Sequence, residues 1–261
     1  MISLWMFPAL FGLIFLGFPV ALSLISIAFA FGLVTFGDAV FYQFISKIEG
    51  IASNFILAAV PLFVFMGSML ERSGIAQQLF SAIHMWTKKL PGGLAIGTVI
   101  MCIIFAASTG VIGATETVVG LLAIPAMLKH KYSHSLISGT ICAGGSLGTI
   151  IPPSVVVVVL GPIADVSIGD LMVGMIFPGL ILAALYIIYI LILCIVRPEN
   201  GPTITEEDEI DRLSFNEKIM ITIKALVPPI LMIFAVLGSI MLGFAAPTEA
   251  AALGAAGSII L

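Results

Sequence analysis

Residues 144–154 read GGSLGTIIPPS. Three glycines, three hydroxyls and a Pro-Pro pair fall inside a run of thirty residues, Ser135 to Ala164, that carries no charge. In water such a stretch would be a loop, because glycine and proline punctuate regular structure. Here it sits in apolar sequence, with VVVVVLG following directly, and it reads as a helix broken inside a membrane. Pro152 and Pro153 remove two N–H donors, and each ring disfavours the bond to its i−4 carbonyl, which frees carbonyls near Gly148 and Thr149. Unpaired carbonyls cannot face lipid, at several kcal/mol each. Water, a neighbouring hydroxyl or a cation must satisfy them. The plainer alternative is a Pro-kinked helix patched by the hydroxyls of Ser146 and Thr149.

The rest of the chain supports a membrane setting. It has 261 residues, 61% hydrophobic and 9% charged, with a mean hydropathy of +1.25. A soluble domain carries about 25% charged residues. Repeated apolar runs near twenty residues match a hydrocarbon core of about 30 Å. The fold class is therefore an all-α polytopic membrane protein; a β-barrel is excluded because the runs are continuous and do not alternate. Cys102, Cys142 and Cys194 lie in apolar segments without CxxC spacing and read as buried free thiols. MISLWMFPALF has no basic region before its apolar run, so no cleavable signal peptide is expected.

Apolar residues 2–36 would form a helix of about 52 Å, too long for one span. GFP at 17–19 offers a break, giving two helices, 2–17 and 20–36. Residues 37–52 are amphipathic and suit the membrane surface. Residues 53–70 form the next span. The stretch 77–90 is a second amphipathic helix, with Trp86 and Lys88 at headgroup level. LAIGTVIMCIIFAA (94–107) and TVVGLLAIPAML (117–128) are each short for a span, and polar, glycine-bearing STGVIGATE (108–116) lies between them. Both outer ends are basic, Lys88–Lys89 and Lys129–Lys131. Two short arms, a polar tip and like charge at each mouth predict a re-entrant hairpin, 92–130, followed by the broken helix, 135–164. The alternative is one long span, 94–115, followed by a buried helix. A clean span at 171–196, a hydrophilic loop at 197–222 with a solvated acidic run EEDEID (206–211), a span at 225–244 and a helix from 246 complete the pattern.

The charge bias decides between hairpin and span. With a hairpin opening to the cytoplasm, Arg72, Lys88, Lys89, Lys129, Lys131, Arg197, Arg212, Lys218 and Lys224 all lie inside and only Lys47 lies outside. With a full span the later loops change sides and the bias dissolves. The hairpin topology puts the N-terminus on the periplasmic side.

The stretches PLFVFMGSMLERSGIA (61–76), FAASTGVIGAT (105–115), GLLAIPAML (120–128), GGSLGTIIPPS (144–154) and APTEAAALGA (246–255) resemble, in this order, the large membrane subunit of tripartite ATP-independent periplasmic (TRAP) transporters, the DctM-like family. The resemblance implies the first inverted repeat of an elevator-type transporter in the bacterial inner membrane. It assigns residues 1–90 to scaffold and interfacial helices, 91–164 to the moving transport domain, 165–245 to further membrane helices, and 246–261 to the start of a second repeat. It implies import of a small organic acid driven by sodium, with no other cofactor and no enzymatic activity. The partners implied are a periplasmic solute-binding protein, a small four-helix membrane subunit and the lipid bilayer, with no nucleic acid. Carried over residue by residue, the sodium ligands would be the Thr109 hydroxyl and the carbonyls of Gly148, Ile151 and Pro152. Gly110, Gly113, Thr115, Glu116, Pro153 and Ser154 would lie near substrate. The chain departs from the family where many relatives have a Ser-Ser pair, here Val111 and Ile112, so Thr115 or a backbone carbonyl would have to substitute. Glu116 is a second departure: an acid near the tip is a candidate to tune cation binding or carry a proton, or simply caps the second arm. Family members are also longer, so the chain is expected to represent an N-terminal half.

Rival readings remain open at this level. GGSLG fits G-x-S-x-G, the nucleophile elbow of hydrolases, which needs a strand-to-helix turn and a histidine base; His84, His130 and His134 fall in cytoplasmic loops by this topology. His130 and His134 have metal-like spacing without a third ligand. A one-component sodium–carboxylate carrier, or the membrane permease of a primary-active uptake system, would share most of these features.

Overall fold

The computed structural model describes residues 2–110, 112–203 and 214–260; Val111, the acidic run 206–211 and Arg212 lie outside the described residues. All regular structure among them is helical. The chain forms two compact units, one ending at Phe55 and one running from Ile56 onward.

The first unit holds α1 (Ile2–Phe15), α2 (Val20–Phe36) and α3 (Ala39–Ala52). The expected break is real. Gly17 closes α1 with φ +89, Phe18 N–H donates to the Leu13 carbonyl at 3.2 Å, and Pro19 then precedes α2. Helix α3 turns back on α2 through Phe29, whose ring meets those of Phe41 and Phe44 edge-on at 5.3 and 5.6 Å. Val40 is the one described buried residue of α3, as an amphipathic surface helix requires.

The second unit begins with a 3₁₀ turn and α4 (Ala59–Arg72), then α5 (Ile75–Thr87). The hairpin follows as α6 (Gly93–Thr109) and α7 (Ile112–Lys129), and the broken helix as α8 (His134–Ile150) and α9 (Val155–Ala164), bent by 44°. Then come α10 (Ile168–Val196), α11 (Phe215–Ile233), a π-helical turn (Phe234–Gly238), α12 (Ser239–Met241) and α13 (Pro247–Ile260). By length and composition three described runs can cross a membrane, Phe55–Arg72, Ile168–Val196 and Phe215–Met241, and a fourth if the bent pair is one span.

The hairpin reading holds, because both mouths meet at one loop. Gly92 N–H donates to the Gly201 carbonyl and Ser133 N–H to the Asn200 carbonyl, each at 3.0 Å. Tyr132 Oη accepts from Leu94 N–H at 3.2 Å. A single long span would have put these ends on opposite sides. Helix α6 can be short because it hardly touches lipid: 14 of its 17 residues are buried. It packs against α4, α5, α7, α8, α10 and α11, the expected place for a helix apolar all round. A second cluster joins α4, α9 and α13 through Phe63, Met66, Val157, Val158, Ala250 and Ala251. There Gly254 admits Met66, whose Sδ would lie 2.5 Å from a Cβ at that position.

Five expectations need correction. Cys142 is exposed, while Cys102 and Cys194 are buried as expected. The hairpin tip is not 108–116: Ser108 and Thr109 end α6 and α7 begins at Ile112, leaving a turn at Gly110, whose φ of +65 closes the helix without a long loop. The loop after α10 ends before 222, because Ser214 and Glu217 form a reciprocal capping box that starts α11 at Phe215. Lys88 is not exposed to a headgroup layer; it is 2% exposed, because the start of α6 folds over it and Gly93 sits against the Thr87 carbonyl and the Lys88 backbone. His84 is not in a loop but inside α5, stacked on Phe80 at 6.1 Å. Trp86 does remain half exposed, and its Nε1–H donates to Thr222 Oγ1 at 2.9 Å.

Candidate cation and substrate site

The tip of the hairpin meets the break in α8–α9. Gly110 ends α6 in the left-handed region, and a Cβ there would run into the Pro153 carbonyl oxygen and lie 3.4 Å from Ser154 Cα. Val155 N–H, opening α9, donates to the Gly110 carbonyl at 3.4 Å. The tip and the break are thus one packed unit, and glycine is required at 110 for both conformation and space.

Within it the polar groups converge. Thr109 Oγ1 and Thr115 Oγ1 are 3.2 Å apart, and Thr109 also donates to the Phe105 carbonyl at 3.1 Å. Both threonines are 0% exposed. Thr115 therefore places a second hydroxyl beside Thr109 from the opposite arm. Ser154 is also 0% exposed, and its Oγ has no hydrogen-bond partner. An orphaned buried hydroxyl is costly unless a ligand completes it.

The break supplies carbonyls. Ile151 N–H still donates to the Leu147 carbonyl at 2.8 Å, the last bond of the α8 ladder. The next two carbonyls, of Gly148 and Thr149, face Pro152 and Pro153, which have no N–H to give. The hydroxyl patch is not made: Ser146 Oγ donates to the Ala143 carbonyl at 2.7 Å and Thr149 Oγ1 to the Ser146 carbonyl at 2.9 Å. Ile151, Pro152, Pro153 and Ser154 are all buried, which keeps this irregular backbone out of lipid. Helix α10 forms one wall, where a Cβ on Gly179 would lie 3.1 Å from Ile151 Cγ1 and 3.4 Å from the Ile150 carbonyl oxygen. An apolar cavity of about 230 Å³ adjoins the break, with Ala107, Ile151 and Pro152 in its wall.

Glu116 points across to α8. Its Cγ and Oε1 occupy the space a Cβ on Gly145 would take, so the acid rests on a glycine rather than on the tip. Gly113 is exposed, away from the Gly110–Pro153 contact. Two positions were missed from sequence. Gly67 of α4 brings backbone against the tip, with the Thr109 Cβ, Cα and carbonyl oxygen 3.2 to 3.4 Å from where its Cβ would be; a glycine inside an otherwise good helix was the available signal. Gly144 admits Cys102 of α6 in the same way, at 2.5 Å from Sγ. The hydrolase reading fails, because GGSLG lies within α8 and not on a strand-to-helix turn.

A broken apolar helix closed by a hairpin tip, with oxygen donors gathered where they meet, is an arrangement found in helical transport proteins. The family profile described as "Tripartite ATP-independent periplasmic transporter, DctM component" matches residues 7–261, and the chain belongs to that family. It is 33% identical over 209 residues to the C4-dicarboxylate TRAP transporter large permease protein DctM of Pseudomonas aeruginosa, covering 80% of this chain and 47% of that protein. It is 31% identical over 257 residues to the Vibrio cholerae protein of the same name, covering 98% and 54%. To the ectoine TRAP transporter large permease protein TeaC of Halomonas elongata it is 29% identical over 255 residues, covering 95% and 56%. The chain spans about half the length of these relatives. Those relatives are named as transporter permease proteins, and the chain is a multi-pass helical membrane protein of their family.

Proposed function

We propose that this chain is part of the membrane permease of a sodium-coupled TRAP importer, lying in a bacterial inner membrane with its N-terminus in the periplasm. The observation that carries the proposal is the meeting of Gly110 with Pro153 beside the buried Thr109–Thr115 hydroxyl pair. Every donor there is a neutral oxygen, the ligand type a hard monovalent cation takes. Thr109 and the carbonyls of Gly148, Ile151 and Pro152 hold sodium, and Thr115 serves as the second hydroxyl where relatives use serine. Substrate, a small organic acid, is handed over by a periplasmic binding protein and lies against Ser154, Pro153 and Gly110, with Gly113, Thr115 and Glu116 at its margin. A small membrane subunit completes the scaffold formed by residues 1–90, and residues 91–164 move.

The test is sodium activation of uptake in proteoliposomes containing the complete transporter and its binding protein. Loss of one charge-assisted contact of about 1.4 kcal/mol or more is a factor of about ten. Thr109→Ala should therefore raise the sodium concentration for half-maximal uptake about tenfold while binding-protein docking stays unchanged. An unaltered sodium curve removes Thr109 from the site. Uptake that needs no binding protein would make this a one-component carrier instead.

A further inference from the structure

A cavity of about 510 Å³ lies between α8 and α10, away from the Gly110–Pro153 contact. Its composition is divided. Ile190 and Leu193 of α10 give it an apolar wall, while Ser135, Arg197, Tyr189 and Thr140 bring polar groups into the same lining. The polar mouth is the N-terminal turn of α8, whose cap Ser133 accepts from Leu136 N–H at 3.3 Å, and whose first N–H groups carry partial positive charge. Arg197 caps the C-terminus of α10 beside it. Lys129 and Lys131, which precede α8 in the sequence, are exposed.

Thr140 sets this cavity apart from a chance gap. It is 3% exposed and its Oγ1 has no hydrogen-bond partner. A helical threonine ordinarily returns its hydroxyl to the i−4 carbonyl, as Thr98 does to Leu94 at 2.7 Å. Thr140 forgoes that bond in the wall of the cavity. It lies five residues beyond Ser135, about 7.5 Å along the helix at 1.5 Å per residue. A ligand that meets the basic mouth and also satisfies Thr140 must therefore carry an anionic group and, deeper, a hydrogen-bond acceptor, with apolar substance against Ile190 and Leu193.

We infer that this cavity is a binding site for an anionic glycerophospholipid. Its phosphate rests at the α8 N-terminus beside Arg197, an ester carbonyl accepts from Thr140 Oγ1–H, and an acyl chain lies along α10. Basic pockets between membrane helices on the cytoplasmic side hold anionic headgroups in this manner. Free phosphate shares the mouth chemistry but leaves Thr140 and the apolar wall unused.

The test is native mass spectrometry of the purified chain in dodecyl maltoside, titrated with palmitoyl-oleoyl phosphatidylglycerol with and without excess inorganic phosphate. Unfolding of the delipidated protein is followed in parallel. The wild type should bind one lipid that inorganic phosphate does not displace. Arg197→Gln should weaken binding about tenfold, as loss of a charge-assisted contact does. Thr140→Val should weaken it about threefold while leaving delipidated stability equal or higher, since it removes an orphaned hydroxyl. Lipid binding unchanged in both variants overturns the inference. So does displacement by inorganic phosphate, or destabilisation of the delipidated protein by Thr140→Val, which would show that the hydroxyl already has a partner.

Discussion

At the scale of single residues, Gly110 carries the most constraint. Its φ of +65 costs any L side chain about 1–2 kcal/mol, and a Cβ would also meet the Pro153 carbonyl. Gly110→Ala should therefore destabilise the protein by about 2 kcal/mol or more, read as a lowered unfolding midpoint in detergent. It should also lose sodium-stimulated uptake in the complete transporter. Tyr132 makes a different case. It is 3% exposed, and burial pushes its phenol up to about 12 from an ordinary value of about 10. A raised value means that the stabilisation from the neutral phenol is complete below pH of about 10 and is lost as pH rises through about 12. Tyr132→Phe should remove that alkaline slope. At neutral pH it should cost about 1–3 kcal/mol, because the Leu94 N–H it leaves behind is buried. Unfolding curves across pH measure both effects.

At the scale of elements, the Pro152–Pro153 pair decides where α8 stops. Giving position 153 an N–H restores a donor for the Thr149 carbonyl, and giving 152 one does the same for Gly148. The double change Pro152→Ala with Pro153→Ala should lengthen α8 and pull the freed carbonyls back into the ladder. Sodium-stimulated uptake should fall about tenfold or more, scaling with the loss of those ligands. Retained stimulation would place the ion elsewhere. The break was legible because two adjacent prolines leave a helix no alternative, and the hairpin was legible from basic residues at both mouths. The length of the tip was not. STGVIGATE looks like a loop by composition, but one left-handed glycine turned the chain and left the flanking hydroxyls helical, so Ser108 returns its Oγ to the Ile104 carbonyl at 2.9 Å. The π turn at Phe234–Gly238 was equally hidden, since FAVLG carries no local signal that separates π from α geometry. Close approaches between helices depend on which glycine faces which partner. That is why Gly67 and Gly145 became meaningful only against Thr109 and Glu116.

At the scale of the whole molecule, the charge bias predicts a topology open to direct test. In a background without reactive native cysteines, Lys47→Cys should react with a membrane-impermeant maleimide in intact cells after outer-membrane permeabilisation. Lys131→Cys and Lys218→Cys should react only after the inner membrane is opened. Labelling of all three from outside would reject the hairpin topology. The second unit is consistent with one basic end. Trp86 near Lys88 and Lys89 meets Phe215 and Thr222, which flank Lys218, and Gly201 just after Arg197 bonds to Gly92.

The burial of α6 bears on the order in which the chain assembles. Its walls come from α4 and α5, made earlier, and from α8, α10 and α11, made later. During synthesis α6 leaves the ribosome as an apolar segment with four of its six neighbouring helices unmade. It must wait at the membrane, against lipid or the insertion machinery, until α10 arrives. The bonds from Gly92 to Gly201 and from Ser133 to Asn200 can close only then. The hairpin is thus a late product of folding, although it is encoded early. A nascent chain stalled before Ile168 should leave α6 open to cysteine labelling at Cys102, which the finished fold buries completely.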